Sequence, residues 1–355
     1  MSLKRFQDWM RSEGVSAACL TDPTSIGYLT GFFCRPYERV LALAVSDGTA
    51  VLVVPALERE NAEGSAGDVE VAAYADGEDG FQLVREALGD ASRLGVEKVH
   101  LTVARAEALR AGELIDCSVG VRRLRAVKMP AEIELLAQAA QATDRVTDTI
   151  LAELRPGQTE LEVSARLAAL IGSEGCRLSF ESLVQFGPNS ALPHHSPSDQ
   201  PLAEGDLVLL DFGASQAGYH ADTTRMAVAG DPDEKQLEVH RVVLEARDRA
   251  IEAVRQGVTA GAVDQAARRV ISEAGYGDHF IHRVGHGIGL EAHEDPSLEP
   301  GSAYVLEAGM AITIEPGVYI PGWGGIRIED DVIVERDGAR VLTAADRGLK
   351  VIATR

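Results

Sequence analysis

Cysteine is scarce in this chain. The four thiols among 355 residues, Cys19, Cys34, Cys117 and Cys176, are widely separated, with no C-x-x-C pair. That spacing supports neither a disulfide framework nor a thiolate zinc cluster, and free thiols point to the cytoplasm. Basic residues are also few, 34 Lys and Arg against 55 Asp and Glu, for a net charge of -21. Nucleic acid and anionic membrane surfaces are therefore poor partners, because phosphate binding depends on basic patches. Nowhere does the sequence reach the roughly 18 consecutive apolar residues of a membrane span. It opens on Met-Ser-Leu-Lys-Arg-Phe-Gln-Asp-Trp, an amphipathic pattern without a targeting signature. The expectation is a cytosolic protein whose 45% hydrophobic content and length leave room for two domains and a sizeable core.

Residues 3–125 alternate helical and β-rich patterns. Helices are expected near Leu3–Ser12, Ala56–Ala62 and Gly80–Leu88, and strands near Val15–Leu20, Val40–Val45, Ala50–Val54 and Val69–Ala73, with further short strands up to Val119. This is an α/β domain, residues 1–125. Leu29–Arg39 reads as a loop carrying Phe32, Phe33, Arg35 and Arg39. A second domain, residues 126–355, opens where Met129-Pro130 precedes a new helical pattern, proline being common at helix starts. Inside it, Arg155-Pro-Gly-Gln-Thr159 is echoed by Arg255-Gln-Gly-Val-Thr259, and Ile171-Gly-Ser-Glu-Gly by Ile271-Ser-Glu-Ala-Gly. Each copy lies between long helical patterns and leads to β-structure bearing two acidic residues, so the domain is read as an internal duplication of helix, helix and hairpin.

Asp206–Val228 is the first hairpin, with apolar runs on either side of a Gly-containing turn near Ser215–Gly218. A turn centred between Gln216 and Ala217 sets Asp211 opposite Asp222, with Cβ atoms roughly 5 Å apart. Two carboxylates so placed repel, and the placement calls for a cation or a shared proton. In the second half, period-2 alternation puts Thr313 and Glu315 on one face and Ile312 and Ile314 on the other. Arg327 and Glu329 share a face, and the Gly- and Pro-rich connection Pro316–Gly325 lets the strands return with Glu315 opposite Glu329. Pseudosymmetric packing of the halves would gather four carboxylates in one cavity, tenable with about two divalent cations between them. His286, between Gly285 and Gly287, adds an imidazole that suits manganese, cobalt, iron or zinc among carboxylate oxygens. Asp330 follows Glu329 and so points away from that face.

Leu210-Asp-Phe-Gly213, Ala221-Asp-Thr-Thr-Arg225, Gly285-His-Gly-Ile-Gly289, Ile314-Glu-Pro-Gly317 and Arg327-Ile-Glu-Asp330 resemble the metal-site motifs of the pita-bread metallopeptidases. Their order and spacing are similar to those of the Xaa-Pro branch, prolidase and aminopeptidase P. The resemblance covers the chain from about Pro130, and the preceding domain is similar, less closely, to the creatinase/prolidase N-terminal domain. It implies an α+β architecture in which a pita-bread domain follows an α/β creatinase-like one.

By the same resemblance, Asp211 chelates one metal, His286 and Glu315 hold the other, and Asp222 and Glu329 bridge them. Two divalent ions per chain are implied, manganese foremost, with cobalt or zinc possible. A water between the metals would attack, and Glu315 would relay its proton to the leaving nitrogen. Leu192-Pro-His-His195 aligns His194 with the family's histidine, and His194 and His293 would polarise the carbonyl and stabilise the oxyanion. His282 and Arg327 match pocket positions. The substrate implied is a short peptide with proline second and the assembly a homodimer. A Glu-Arg pair after the Gly-Phe loop is similar to that of prolidases, so Arg35 or Arg39 is expected to meet the carboxylate of an Xaa-Pro dipeptide. The alternatives are an aminopeptidase P acting on longer peptides and a non-catalytic binding protein on the same fold. Methionine aminopeptidase fits the N-terminal domain and the Leu-Pro-His-His segment poorly, and creatine amidinohydrolases lack the metal carboxylates.

Overall fold

The computed structural model describes residues 2–89 and 91–354. Two compact units divide the chain, Met1–Arg125 and Ala126–Arg355. Among the described residues no helix is long and apolar enough to cross a membrane.

In the first unit α1 (Ser2–Ser12) precedes β1 (Ala17–Leu20), α2 (Pro23–Thr30), β2 (Ala42–Ser46), β3 (Thr49–Pro55), α3 (Arg59–Ser65) and β4 (Glu70–Tyr74). There follow α4 (Gly80–Leu88), β5 (Arg93–Val96), α5 (Val103–Leu109), β6 (Glu113–Asp116) and α6 (Ser118–Ala126). The strands form one mixed sheet in the order β4-β3-β2-β1-β5-β6, the α/β arrangement expected. Three helices differ from the expectation. Asp22 caps α2 through the Thr24 amide at 3.1 Å and Pro23 supplies its first turn, so Leu29 and Thr30 end a helix instead of starting a loop. Thr102 caps α5 in the same way, and α6 occupies the stretch around Val119 that was expected to be β-structure.

The second unit contains the repeat. Its first half runs α7 (Pro130–Glu153), α8 (Glu160–Ser173), β7 (Arg177–Leu178), β8 (Leu183–Phe186), β9 (Leu207–Phe212), β10 (Ala214–Gln216), β11 (Tyr219–His220) and β12 (Thr223–Ala229). Its second runs α9 (Glu234–Ala253), α10 (Ala260–Glu273), β13 (Gly285–Gly287), β14 (Glu294–Leu298), β15 (Ala311–Ile314), β16 (Gly317–Ile320), β17 (Gly324–Arg327) and β18 (Asp330–Val334), then β19 (Ala339–Val341) and β20 (Lys350–Ile352). The correspondence extends to connections: Thr159 bridges to Pro201 and Thr259 to Val305. Likewise the Gly157 amide donates to Leu202 O and that of Gly257 to Leu306 O, both at 2.8 Å.

A reciprocal capping box opens α8, in which Thr159 Oγ1 accepts from the Glu162 amide at 3.2 Å and Glu162 Oε2 from the Thr159 amide at 2.9 Å. Along α7 the buried positions Leu136, Ala139, Ala140, Thr143, Val146, Thr147 and Ile150 follow the helical period and form the stripe that packs inward. Each half centres its sheet on its own hairpin. The first sheet is ordered β8-β9-β12-β20, and the second runs β13-β15-β18 with β14 and β19 at its edges. Strands covered on both faces read as nearly continuous apolar runs, and β9 and β12 are buried throughout.

Candidate metal centre

Hairpin register decides which side chains meet. In the first hairpin Asp211 pairs with Thr224, and Phe212 with Thr223. This corrects the expected register, in which Asp211 faced Asp222. The turn is made by Ala217 and Gly218, both left-handed with φ of 50° and 86°, the geometry a two-residue hairpin turn requires. Its centre therefore lies one residue later than expected, and the partner of Asp211 moves on by two. A shift of two keeps the side-chain face, so Asp222 remains on the same face, diagonal to Asp211. In the second hairpin Ile314 pairs with Asp330 and Gly317 with Arg327. These two pairs share one register, which sets Glu315 against Glu329. Strand β13 lies beside β15 and presents His286 to the same place. Gly285 and Gly287 serve chain packing there: a Cβ on Gly285 would lie 2.0 Å from Thr313 O, and one on Gly287 2.1 Å from Asp295 O.

Donor atoms converge as a result. His286 Nε2 lies 3.3 Å from Glu315 Oε1 and 3.9 Å from Asp222 Oδ2. Ligand atoms of Asp222, His286 and Glu329 all fall within 4.8 Å of one another, a spacing that a single cation can satisfy. On the other side of the ring, Nδ1 is 3.0 Å from Gly287 O. A proton on Nδ1 satisfies that carbonyl and turns Nε2 toward the carboxylates, where it donates to Glu315 when protonated and offers its lone pair to a cation when not. Thr313 Oγ1 accepts from the His286 amide at 3.1 Å and donates to Glu315 Oε1 at 3.4 Å. Thr224 Oγ1 donates to Glu329 Oε2 at 2.6 Å. Arg327 donates to Thr224 Oγ1 at 3.0 Å, to the Tyr319 hydroxyl oxygen at 2.7 Å and to Asp211 Oδ2. Even so, Asp211 Oδ1 and Asp222 Oδ1 are buried without a hydrogen-bond partner.

Burial and mutual repulsion dominate the electrostatics. Burial, followed by the charges of Glu329 and Asp211, drives the Asp222 carboxyl well above the carboxylate range. Glu329 moves the same way through burial and the charges of Glu315 and Asp211. Asp211 is also raised, chiefly by burial, against the pull of Arg327. Burial pushes Glu315 up as well, but its hydrogen bond to His286 and the charges of His286, His282 and Arg327 outweigh that and bring it down to about 2. Four carboxyls and a single arginine cannot all be ionised in so small a volume. A hard-oxygen cluster with one imidazole, two orphaned buried oxygens and a deficit of positive charge fits divalent cations.

His194, His282, His293 and Arg327 line a cavity of about 1500 Å³ that contains this cluster. His293 packs edge-on against His286 with ring centroids 4.2 Å apart. Burial and the charges of His286 and Arg283 lower its pKa to about 4, so it is a neutral imidazole at pH 7. His282 belongs to a directional chain: Arg327 Nη1 donates to the Tyr319 oxygen, whose hydroxyl lies 2.9 Å from His282 Nε2, and His282 Nδ1 is 2.7 Å from Arg283 O. His194 is exposed at the cavity wall, whereas His195 is half-buried with Nε2 3.4 Å from the buried Glu160. In the first unit, Arg39 donates to both oxygens of Asp76 at 2.9 and 3.1 Å and to Glu38 at 2.9 Å. Arg35 lies 5.4 Å from the centre of the Tyr37 ring.

Three participants escaped the sequence reading. Tyr319 lies in β16 and joins Arg327 to His282, although nothing in Gly317-Val-Tyr-Ile320 announces a polar role. Thr224 sits within the Asp-Thr-Thr-Arg motif itself, and its place opposite Asp211 was recoverable from the correct turn. Asp331 accepts the Asp222 amide at 2.9 Å and fixes the entry to β12.

Comparison with known proteins adds five findings. Residues 134–336 match the model of "Metallopeptidase family M24" and residues 3–127 that of "Creatinase/Prolidase N-terminal domain". The chain is 38% identical to an Xaa-Pro dipeptidase of Lactobacillus helveticus, with 100% of both chains covered. Its structure is similar to that of an Xaa-Pro dipeptidase from Bacillus anthracis, with TM-score 0.92, 36% identity and 99% of each chain covered. It is also similar to an X-Pro aminopeptidase from Thermotoga maritima, with TM-score 0.86, 32% identity and 96% and 100% of the two chains covered.

Proposed function

The chain belongs to metallopeptidase family M24 and carries a creatinase/prolidase N-terminal domain, and from that premise we propose that it hydrolyses the Xaa-Pro bond of dipeptides with two divalent cations. The observation that carries the metal reading is the buried cluster with its orphaned Asp211 and Asp222 oxygens. Asp222 and Glu329 would serve both ions, Asp211 one, and His286 with Glu315 the other. Cations bound there supply Lewis acidity and an acidified water as nucleophile at neutral pH. Glu315, steadied by Thr313, takes the proton of the attacking water and delivers it to the departing proline nitrogen. His293 and His194 donate to the scissile carbonyl oxygen as negative charge develops on it. Neutral at pH 7, His293 does so without adding a further fixed charge. His282 and Arg327 shape the wall beside the metals, and Arg327 also holds Asp211 in place.

The dipeptidase relatives support the substrate. An Xaa-Pro bond lacks the N–H that general peptidases engage, which suits a dedicated enzyme. A cavity of about 1500 Å³ exceeds a dipeptide, so restriction to dipeptides needs a group that reads the free carboxylate. Of the two N-terminal arginines, Arg39 is bound to Asp76, which favours Arg35 for that role. The volume of the cavity and the likeness to an X-Pro aminopeptidase favour the second reading, an aminopeptidase P acting on longer peptides. Comparing kcat/KM for Ala-Pro and Ala-Pro-Ala on metal-reconstituted protein decides between them: the dipeptidase reading requires the dipeptide to be preferred, and equal or better tripeptide cleavage overturns it. Manganese as the working metal, a homodimer and a cytoplasmic location complete the proposal.

A further inference from the structure

Three arginines line the cavity of the second unit, and two are committed within the protein. Arg327 is bound to Asp211, Thr224 and Tyr319. Arg268 holds both oxygens of Asp264 at 2.9 Å and also donates to the carbonyls of Phe280 and His282. Arg283 differs. Its Nη1 donates to Ser297 Oγ at 3.1 Å, and among the described residues no carboxylate is paired with it. Ser297 in turn donates its proton to Glu299 Oε2 at 3.0 Å, which leaves a hydroxyl lone pair to accept from Arg283. One arm of the fork is thereby steadied and the rest is left without a protein acceptor.

Position matters as much as availability. Arg283 follows His282 directly and lies one short step before His286 on the segment entering β13. It lines the same cavity as His293 and the carboxylate cluster. A half-buried guanidinium with free donors and no carboxylate paired directly with it among the described residues is matched by a planar anion, which it binds through parallel N–H bonds.

We propose that Arg283, oriented by Ser297, is the receptor for a carboxylate of the substrate. This assigns the catalytic unit a carboxylate anchor of its own, in place of Arg35 where the carboxylate is the proline terminus, and it rests on the Xaa-Pro dipeptidase reading. That carboxylate is either the terminus of the proline or the acidic side chain of a residue before it, and the two sources are separable. Ala-Pro carries only the terminal carboxylate, Asp-Pro-amide only the side-chain one, and Ala-Pro-amide neither.

The test compares kcat/KM for these three substrates between the metal-loaded wild-type protein and its Arg283→Gln and Arg283→Lys variants. Loss of a charge-assisted pair costs roughly 10- to 150-fold. The expected result is a loss of that size for Arg283→Gln on Ala-Pro, or on Asp-Pro-amide, with Ala-Pro-amide changed less than about twofold. Arg283→Lys keeps the charge without the fork and recovers part of the loss. A uniform loss on all three substrates, or none on any, overturns the proposal. Calorimetric binding of Ala-Pro and Ala-Pro-amide to the same proteins separates this from the dipeptidase reading. If the wild type hydrolyses neither, that reading fails. Arg283 is still decided by whether the substitution weakens binding of Ala-Pro alone.

Discussion

Glu329 and Asp330 are consecutive, both almost wholly buried, and they face opposite sides of the second hairpin into different electrostatic surroundings. Asp330 meets Arg225 and Arg347 at 2.8 and 2.9 Å and also Arg247, with the Thr343 hydroxyl at 2.6 Å. Burial pushes its pKa up, but the arginines outweigh that and hold it below the ordinary carboxylate range. Glu329 meets the Thr224 hydroxyl, and burial with the charges of Glu315 and Asp211 drives its pKa well up against the pull of Arg327. The protein thus sets three arginines around the one carboxylate on one face of the hairpin and only Arg327 among the four carboxyls on the other. A carboxylate cluster left short of positive charge in a folded protein is prepared for exchangeable cations, and that contrast separates a structural ion network from a metal centre.

The comparison breaks most sharply by mutation. Asp222→Ala or Glu329→Ala should remove a group shared by both cations and with it several kcal/mol of transition-state stabilisation, on the order of a thousandfold or more in kcat/KM. The metal-free forms of these variants should unfold no more easily than metal-free wild type, since a repelling charge has gone; near-normal turnover would refute the assignment. Asp330→Ala should do the reverse. It strands three arginines and should lower stability by about 3–5 kcal/mol in denaturant unfolding, whether or not metal is present.

Smaller effects sharpen the contrast. Saturation with manganese at a hundred times its dissociation constant should stabilise the wild type by about 2.7 kcal/mol for each cation bound in thermal unfolding, and Asp222→Ala by much less. The pH dependence should differ in sign between the two faces. Asp222 and Glu329 have folded-state pKa values raised above the unfolded range near 4. Their contribution to the stability of metal-free protein is thus complete below about pH 4 and is lost as the pH rises through the folded values. Compared with Asp222→Asn, chelated wild type should lose up to about 1.4 kcal/mol per pH unit above pH 4. Asp330, with a lowered pKa, contributes above about pH 4 and loses that contribution as the pH falls through its folded value. The least effect is expected of Tyr319→Phe, about 1 kcal/mol of stability and a several-fold fall in kcat/KM, through the loosened Arg327 and His282.

Much of this contrast was legible in the sequence. Strand alternation placed Glu329 and Asp330 on opposite faces, and the hundred-residue spacing of Thr159 and Thr259 announced the repeated halves because equivalent turns keep their Gly and Thr residues. Register was less legible. Either Gln216-Ala217 or Ala217-Gly218 could centre the first turn, and the left-handed demand at both central positions, which favours including Gly218, settles the matter. The short helices of the first unit were missed because they present few turns of periodicity against which to judge a Val- or Leu-containing run. Side-chain networks were the least accessible. Tyr319, Arg327 and His282 come from separate segments, and only packing shows that one arginine is held by Asp211 while Arg283 is bound to the Ser297 hydroxyl and, among the described residues, to no carboxylate.

The most direct test follows Ala-Pro hydrolysis as manganese is titrated into chelated protein. The two-cation reading predicts negligible turnover without metal and a rise that saturates at two equivalents per chain; full turnover in the chelated protein would contradict it.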